Sequence, residues 1–204
     1  SSLTVHQRLI QLFSGSQEDV FISSPYFVRG LIGLQRISTL RQKGVTVRVL
    51  TNSLATTDEP LAHVVYLRYR VALLEAGLEL HELAPPREEL TRLGASHADR
   101  LHAKLAVVDH RHLYVGSMNF TSRSEHINAE VGLILDCPPI ADQVLRLMER
   151  AQSYSVVLAR TPLGIQWVRK IRDEEEVWQD EPHVSLWRKL KNLLASPFIP
   201  EGEI

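Results

Sequence analysis

Leu101-His102-Ala103-Lys104-Leu105-Ala106-Val107-Val108-Asp109-His110-Arg111-His112-Leu113-Tyr114-Val115-Gly116-Ser117-Met118-Asn119 carries six polar or glycine positions in the spacing H-x-K-x4-D-x6-G-S-x-N. Six fixed positions, each met by chance about one time in twenty, recur in roughly 10⁻⁶ of chains of this length. The same stretch reads as two strands around a turn. Leu101–Val108 and Leu113–Val115 are apolar and rich in β-branched residues, and Asp109-His110-Arg111-His112 between them is a hairpin turn. Residues two apart on a strand share a face, so His102 and Lys104 point the same way. Asp109 lies an odd number of residues from both and faces away, as an acceptor for backbone N–H groups. Ser117 and Asn119 follow the second strand, which the hairpin returns to the His102 end. Gly116 admits close approach of backbone.

An imidazole, an ammonium, a hydroxyl and an amide gathered at one strand end suit phosphoryl-group chemistry. During attack on a phosphodiester, negative charge grows on the non-bridging oxygens, and Lys104, Ser117 and Asn119 are the groups to stabilise it. His102 is suited to attack phosphorus or to protonate the leaving oxygen. Either role needs its other ring nitrogen held by an acceptor. Glu130, in Asn128-Ala129-Glu130 on the next strand, is the candidate.

Working outward, strands and helices alternate. Residues 3–13 have helical spacing, Val20–Ile22 is a short buried strand, and residues 30–42 carry Leu31, Leu34, Ile37 and Leu40 on one helical face. Val45–Leu50 is a strand, residues 61–76 a helix, and Leu78–Leu83 a strand. Residues 84–99 read as loop. Ile127–Leu135 is a strand and residues 138–152 a helix. This order points to an α/β fold with a mixed sheet flanked by helices. Beyond about residue 160 the character changes, so residues 1–160 are read as the motif-bearing domain and 161–204 as a C-terminal extension. Gly164–Val168 is a short strand there, Asp173–Glu176 a solvated acidic face, and residues 183–196 a basic amphipathic helix.

The chain has 204 residues, 44% of them apolar, and a net charge of −1. One domain with a sizeable core is expected, and the near-zero charge disfavours nucleic acid as a partner. The single cysteine, Cys137, is read as a strand-end core thiol, and the composition suits a reducing compartment. No run of 18 apolar residues is present. No carboxylate-rich or Cys/His cluster suggests a metal site.

His102, Lys104, Asp109, Gly116, Ser117, Asn119 and Glu130 together resemble the signature of the phospholipase D superfamily. Ser23–Val28, Lys43-Gly44-Val45, Val47–Ala55, Asp58, Tyr69-Arg70 and Gly77–Leu83 resemble the second half of bacterial cardiolipin synthases. The tail, with Gln166-Trp167-Val168 and Trp187-Arg188, resembles the end of one cardiolipin synthase subgroup. The resemblance implies a layered phospholipase D-like fold and metal-independent, cofactor-free phosphatidyl transfer through a phosphohistidine. It implies phospholipid headgroups and a membrane surface as partners, at the cytoplasmic side of a bacterial inner membrane. It also implies two motifs, one histidine attacking phosphorus and the other, more often that of the second half, acting as general acid and base.

This chain has one motif. His6, His63, His81, His97, His110, His126 and His183 all lack a lysine two residues on. The expectation is therefore the C-terminal half of a longer two-motif enzyme. The alternatives are a single-motif nuclease or phosphodiesterase completed by a homodimer, and an inactive half with a pairing role. Secondary candidates follow from position. Tyr26 and Phe27, after the first strand, face the acyl or glycerol side of the substrate. Asn52, Ser53 and Asp58, after the next strand, border the cleft. His97 and Arg100 precede His102. The basic helix is suited either to an interfacial membrane contact or to docking on this domain or its missing partner.

Overall fold

A computed structural model of the chain describes residues 3–27, 30–84, 100–121, 124, 129–171 and 174–195. Three strands, β1 (Asp19–Ser23), β2 (Thr46–Asn52) and β3 (Glu79–Leu83), run parallel. Helices α2 (Gly30–Gln42) and α3 (Pro60–Glu75) make the crossovers between them. The other strands are antiparallel. β4 (Leu105–Val108), β5 (His112–Gly116) and β6 (Gly132–Asp136) extend the sheet beyond β1. β7 (Ser155–Thr161), β8 (Gly164–Ile171) and β9 (Glu174–Trp178) extend it beyond β3. The nine strands form one sheet in the order β6-β5-β4-β1-β2-β3-β7-β8-β9. Helices α1 (Val5–Ser14), α4 (Pro138–Gln152) and α5 (Leu186–Ala195) complete the fold.

Side-chain alternation divides the core into two layers. Val20, Ile22, Val47, Val49, Ala106 and Val108 pack on the face that α1, α2 and α3 cover. Phe21, Leu50, Val107 and Leu113 point the other way, onto Ala141, Leu145 and Met148 of α4. Local signals bound the helices. Thr4 and Gln7 form a reciprocal capping box at the start of α1. Gly44 and Gly77, at φ 86° and 87°, turn the chain from α2 and α3 into the next strands in a conformation that costs glycine little.

The hairpin between β4 and β5 positions the motif. Asp109 and His110 have φ of 50° and 53°, and Arg111 N donates to Val108 O at 3.0 Å. Positive φ at both central residues is the requirement of a type I′ turn, whose twist matches that of the strands. The Asp109 carboxylate accepts three consecutive backbone N–H groups: Gln17 at 3.0 Å, Glu18 at 2.9 Å and Asp19 at 3.1 Å. Its own N–H donates to Asp19 O. The motif aspartate thus ties the hairpin to the start of β1, rather than accepting within its own turn.

Several expectations change. The strand expected over Leu101–Val108 begins only at Leu105, and that over Ile127–Leu135 only at Gly132. Residues 127 and 128 lie outside the described set. Residues 161–204 are less of an appendage than composition suggests, because β8 and β9 continue the same sheet. Trp167 is a core residue whose indole donates to buried Glu82, and Glu181 meets Arg70 at 2.5 Å and His63 at 3.3 Å. Arg70 also pairs with Glu82 at 2.9 Å. The acidic run becomes edge strand β9, with Glu174, Glu175 and Glu176 exposed. Cys137 is the half-buried N-cap of α4, at the end of β6.

Two stability tests follow. Asp109→Ala leaves three N–H groups without their acceptor and is expected to cost about 2 kcal/mol in chemical denaturation; a loss below about 0.5 kcal/mol would show the tie to be dispensable. His81 lies in β3 against Gln152 and Ser155. Burial, aided by Arg48, lowers its pKa to about 4. The unfolded imidazole takes a proton near pH 6.5, the folded one only near 4. Stability is therefore present above 6.5 and lost as pH falls toward 4, by about 2 kcal/mol between pH 7 and pH 5. In His81→Gln this slope is expected to flatten in urea titrations at the two pH values.

Candidate active site at the strand ends

The C-terminal ends of β1, β2 and β5 and the starts of β4 and β6 meet at one edge of the sheet, as the pairs Ser23↔Leu105, Leu105↔Val115 and Gly116↔Gly132 require. His102 enters this edge on a non-strand segment with an exposed side chain. Asn52, buried at the end of β2, holds that segment in place. Its Oδ1 accepts from Leu101 N at 3.1 Å and its Nδ2 donates to Leu101 O at 3.0 Å. Expected as a substrate contact, Asn52 instead spends both ends of its amide on the residue before His102.

Lys104 is half-buried, and its Nζ donates to His102 O at 2.9 Å. The ammonium reaches back along the chain, a fold that strand alternation alone did not anticipate. Burial lowers the Lys104 pKa, while Glu130 and Asp58 oppose that shift. Gly116 N donates to Lys104 O at 3.2 Å, which joins the two motif strands one residue past the ladder.

Ser117 is fixed on both sides. Its N–H donates to Val131 O at 2.9 Å, its Oγ accepts from Val131 N at 3.0 Å, and its hydroxyl donates to the Glu130 carboxylate. This corrects the expected role of Glu130. Residues 130 and 131 run alongside Ser117, so the carboxylate sits on the serine and not on His102. Among the described residues no side-chain acceptor lies within hydrogen-bond reach of the His102 ring. Gly116 is also explained differently. A Cβ there would collide with the Tyr114 hydroxyl and with Val131 O, and one at Gly132 would meet the Tyr114 ring. Both glycines make room for a buried tyrosine.

Asn119 is held between two fully buried neighbours, Met118 and Phe120. Phe120 bridges to Phe27 and stacks on Phe13 at 6.2 Å. The Asn119 Oδ1 is buried without a hydrogen-bond partner. Tyr26 donates to Asp58 Oδ1 at 2.6 Å. Burial and this bond raise the Tyr26 pKa above its ordinary value. Burial pushes the Asp58 carboxyl up, but the Tyr26 hydrogen bond and the charges of Arg100 and His102 leave it below its usual range. Asp58 is thus a carboxylate whose field reaches His102, and its partner is a tyrosine. His97 lies outside the described residues. His110, exposed, and His112, half-buried, stand at the opposite end of the hairpin.

Arg188 of α5 was not expected at the site. Its guanidinium donates to Thr57 O at 3.1 Å, one residue from Asp58, and Arg100 lies close enough to depress its pKa after burial has done so. Only the basic character of residues 183–196 hinted at it. Among the described residues no group of three or more His, Cys, Asp or Glu side chains is placed to hold a metal. The cluster offers an exposed imidazole, a partly desolvated ammonium, a serine fixed on a carboxylate, and an amide with an unused acceptor.

Comparison with known proteins gives a consistent picture. The family described as cardiolipin synthase, PLD-like domain, matches residues 9–152. Cardiolipin synthase C of Escherichia coli K12 is 34% identical over 198 residues, covering 93% of this chain and 42% of that protein. The chain thus spans less than half of that relative's length. Among solved structures, a phospholipase D family member, Nuc from Salmonella typhimurium, superposes with a TM-score of 0.58 at 16% identity over 74% of this chain and 90% of its own. Phosphatidylserine synthase from Haemophilus influenzae superposes with a TM-score of 0.58 at 17% identity over 100% of this chain and 46% of its own. The mixed sheet flanked by helices is that of these structures. With the motif on its strand ends and the family match across both crossovers and the hairpin, the chain belongs to the cardiolipin synthase family of phospholipase D-like domains.

Proposed function

We propose that this chain supplies one of the two histidine motifs of an enzyme that transfers a phosphatidyl group between phospholipids at a membrane surface. The observation that carries the proposal is the cluster of His102, Lys104, Ser117, Glu130 and Asn119 where the strand ends meet. Among the described residues it holds one imidazole, whereas a double displacement at phosphorus uses two. In the first step one histidine nitrogen bonds to phosphorus, the bond to the leaving alcohol breaks, and the second histidine gives that oxygen its proton. In the second step the acceptor alcohol returns a proton to the second histidine and attacks phosphorus, breaking the N–P bond. His102 takes the proton-transfer part. Lys104 and the Asn119 amide face the charge that develops on the non-bridging oxygens. Glu130 and Ser117 fix the far wall, and Asn52 sets the position of His102.

The surface beside the cluster supports a second half. Val115 and Leu133 are paired across β5 and β6, next to Val131 beside Ser117, and all three are exposed. α4 covers Leu113 and Leu135 on the same strands but stops short of them. An exposed apolar patch at the mouth of an incomplete site is a natural seat for the partner half. A second arrangement, a single-motif phosphodiesterase completed by another copy, has one observation in its favour: Nuc is matched over 90% of its length.

The full-length protein is expected to convert phosphatidylglycerol vesicles to a transfer product and to leave single-stranded DNA intact. His102→Ala should lower turnover at least about 10³-fold. Cleavage of DNA without lipid turnover would sink the proposal, and turnover by this chain alone as a dimer would favour the second arrangement. Asn52→Ala, with its fold checked by circular dichroism, is expected to reduce kcat about 10²-fold at little change in KM, because it frees the backbone that aims His102.

A further inference from the structure

We propose that Arg188 of α5 and Arg100 form a seat for a second phosphodiester, the one that a phospholipid acceptor brings along with its attacking alcohol. The choice of acceptor rests on the phosphatidyl-transfer proposal above. The seat rests on where the two guanidinium groups are held.

Both arginines stand on backbone that β2 positions. After β2, Thr56 N and Thr57 N donate to Ser53 O at 3.2 and 2.9 Å, and the Thr56 hydroxyl donates to Leu83 O at 3.1 Å. Ser53, Thr56 and Thr57 are buried, so the Thr57 carbonyl is a fixed point. The Arg188 guanidinium donates to it at 3.1 Å. The helix that carries Arg188 is held as well. Arg188 N donates to Ser185 Oγ, and Lys189 Nζ meets Asp180 at 2.7 Å. Arg100 arrives from the other side. It precedes Leu101, whose N–H and carbonyl are both gripped by Asn52 at the end of β2.

The charge at this place calls for an anion. An arginine drawn partly out of water ordinarily pairs with a carboxylate. Arg188 is half-buried, yet its guanidinium bonds a neutral carbonyl. Among the described residues neither Arg188 nor exposed Arg100 forms an ion pair. Asp180 is taken by Lys189 and Glu181 by Arg70, while Asp58 accepts from Tyr26. Burial and the charge of Arg100 lower the Arg188 pKa, against the opposing charge of Glu181. Two cations that burden each other are relieved by an anion shared between them. A guanidinium presents five donors in a rigid fork, which fits the paired oxygens of a phosphodiester.

This seat is set apart from that of the reacting phosphorus. Lys104 and Asn119 belong to the β4–β5 hairpin, whereas Thr57 follows β2. In the sheet β4 and β2 are two strands apart, about 10 Å. The attacking hydroxyl of a phosphatidylglycerol lies a three-carbon bridge from that lipid's own phosphate, so one acceptor can reach both places. Water and simple alcohols have no group for the seat, which therefore favours a lipid acceptor over hydrolysis.

The test uses the full-length protein on phosphatidylglycerol vesicles with ethanol added. Transfer to a second phosphatidylglycerol releases glycerol, and so does transfer to ethanol, which gives phosphatidylethanol. The ratio of lipid-acceptor product to phosphatidylethanol is expected to fall at least about tenfold in Arg188→Gln and in Arg100→Gln, with unchanged circular dichroism. Arg188→Lys, which keeps the charge without the fork, should fall between. An unchanged ratio overturns the proposal, and so does equal loss of both products, which would assign the arginines to the donor phosphate or to the fold alone. Calorimetry reads the seat without turnover. Binding of soluble glycerophosphoglycerol is expected to weaken at least about tenfold in Arg188→Gln. If the variant weakens binding of inorganic phosphate but not of glycerophosphoglycerol, the seat is one for free phosphate and the proposal fails. If the wild type binds glycerophosphoglycerol through Arg188 yet converts no phospholipid, the seat stands and the transfer reaction falls.

Discussion

One carboxylate fixes the geometry on which the site depends. Asp109 collects the N–H groups of Gln17, Glu18 and Asp19, three donors that end a loop and start β1. A concavity of successive backbone N–H groups is an anion site wherever it occurs. Here the anion comes from the chain itself, at the tip of the β4–β5 hairpin. The bond sets the register of β4 on β1, so that Leu105 pairs with Ser23 and residues 101–104 are delivered beside Asn52. A slip of one residue would turn His102 and Lys104 away from Ser117 and Asn119. The left-handed conformation at Asp109 and His110 is the strained part of this arrangement, and the three hydrogen bonds offset it.

The candidate site has two layers. Lys104, His102 and Asn119 stand at the surface of the edge or close beneath it. Below them Asn52 grips the backbone, Ser117 is locked between Val131 and Glu130, and Phe120 is pinned among Phe13, Phe27 and Tyr114. Small displacements of a reacting group carry large rate penalties, so a rigid layer beneath is what the proposed chemistry needs. The glycines belong to this layer too. Gly116 and Gly132 are small because Tyr114 passes over them.

Much of this was legible in the sequence, and the failures have physical causes. The apolar run Val20–Ile22 marked β1 because both of its faces are buried, Val20 and Ile22 in one layer of the core and Phe21 in the other, whereas β7 went unmarked. Asp109 lies past the end of β4, where strand parity no longer applies, and the N–H groups it accepts from, those of residues 17–19, are remote in sequence. Where side chains leave the regular ladder, periodicity has no hold. Lys104 curls back to His102 O, and Glu130 settles on Ser117 rather than on the imidazole. Asn52 looked like a ligand-binding residue because its type is polar; its partner, a backbone segment 49 residues away, leaves no mark in composition. The apparent boundary near residue 160 was a shift in charge, and it concealed a buried network in which Glu82, Arg70 and Glu181 cross it.

The two edges of the sheet differ in kind. β9 ends it with Glu174, Glu175 and Glu176 in the open, a row of like charges that discourages another strand. β6 ends it with exposed Val131 and Leu133, next to the motif. Growth of the sheet is therefore polar. A neighbouring strand approaching from the acidic side meets like charge, and one approaching from the apolar side arrives beside the motif. The molecule thus has a direction across its sheet, with the motif beside the apolar edge and the acidic edge on the far side.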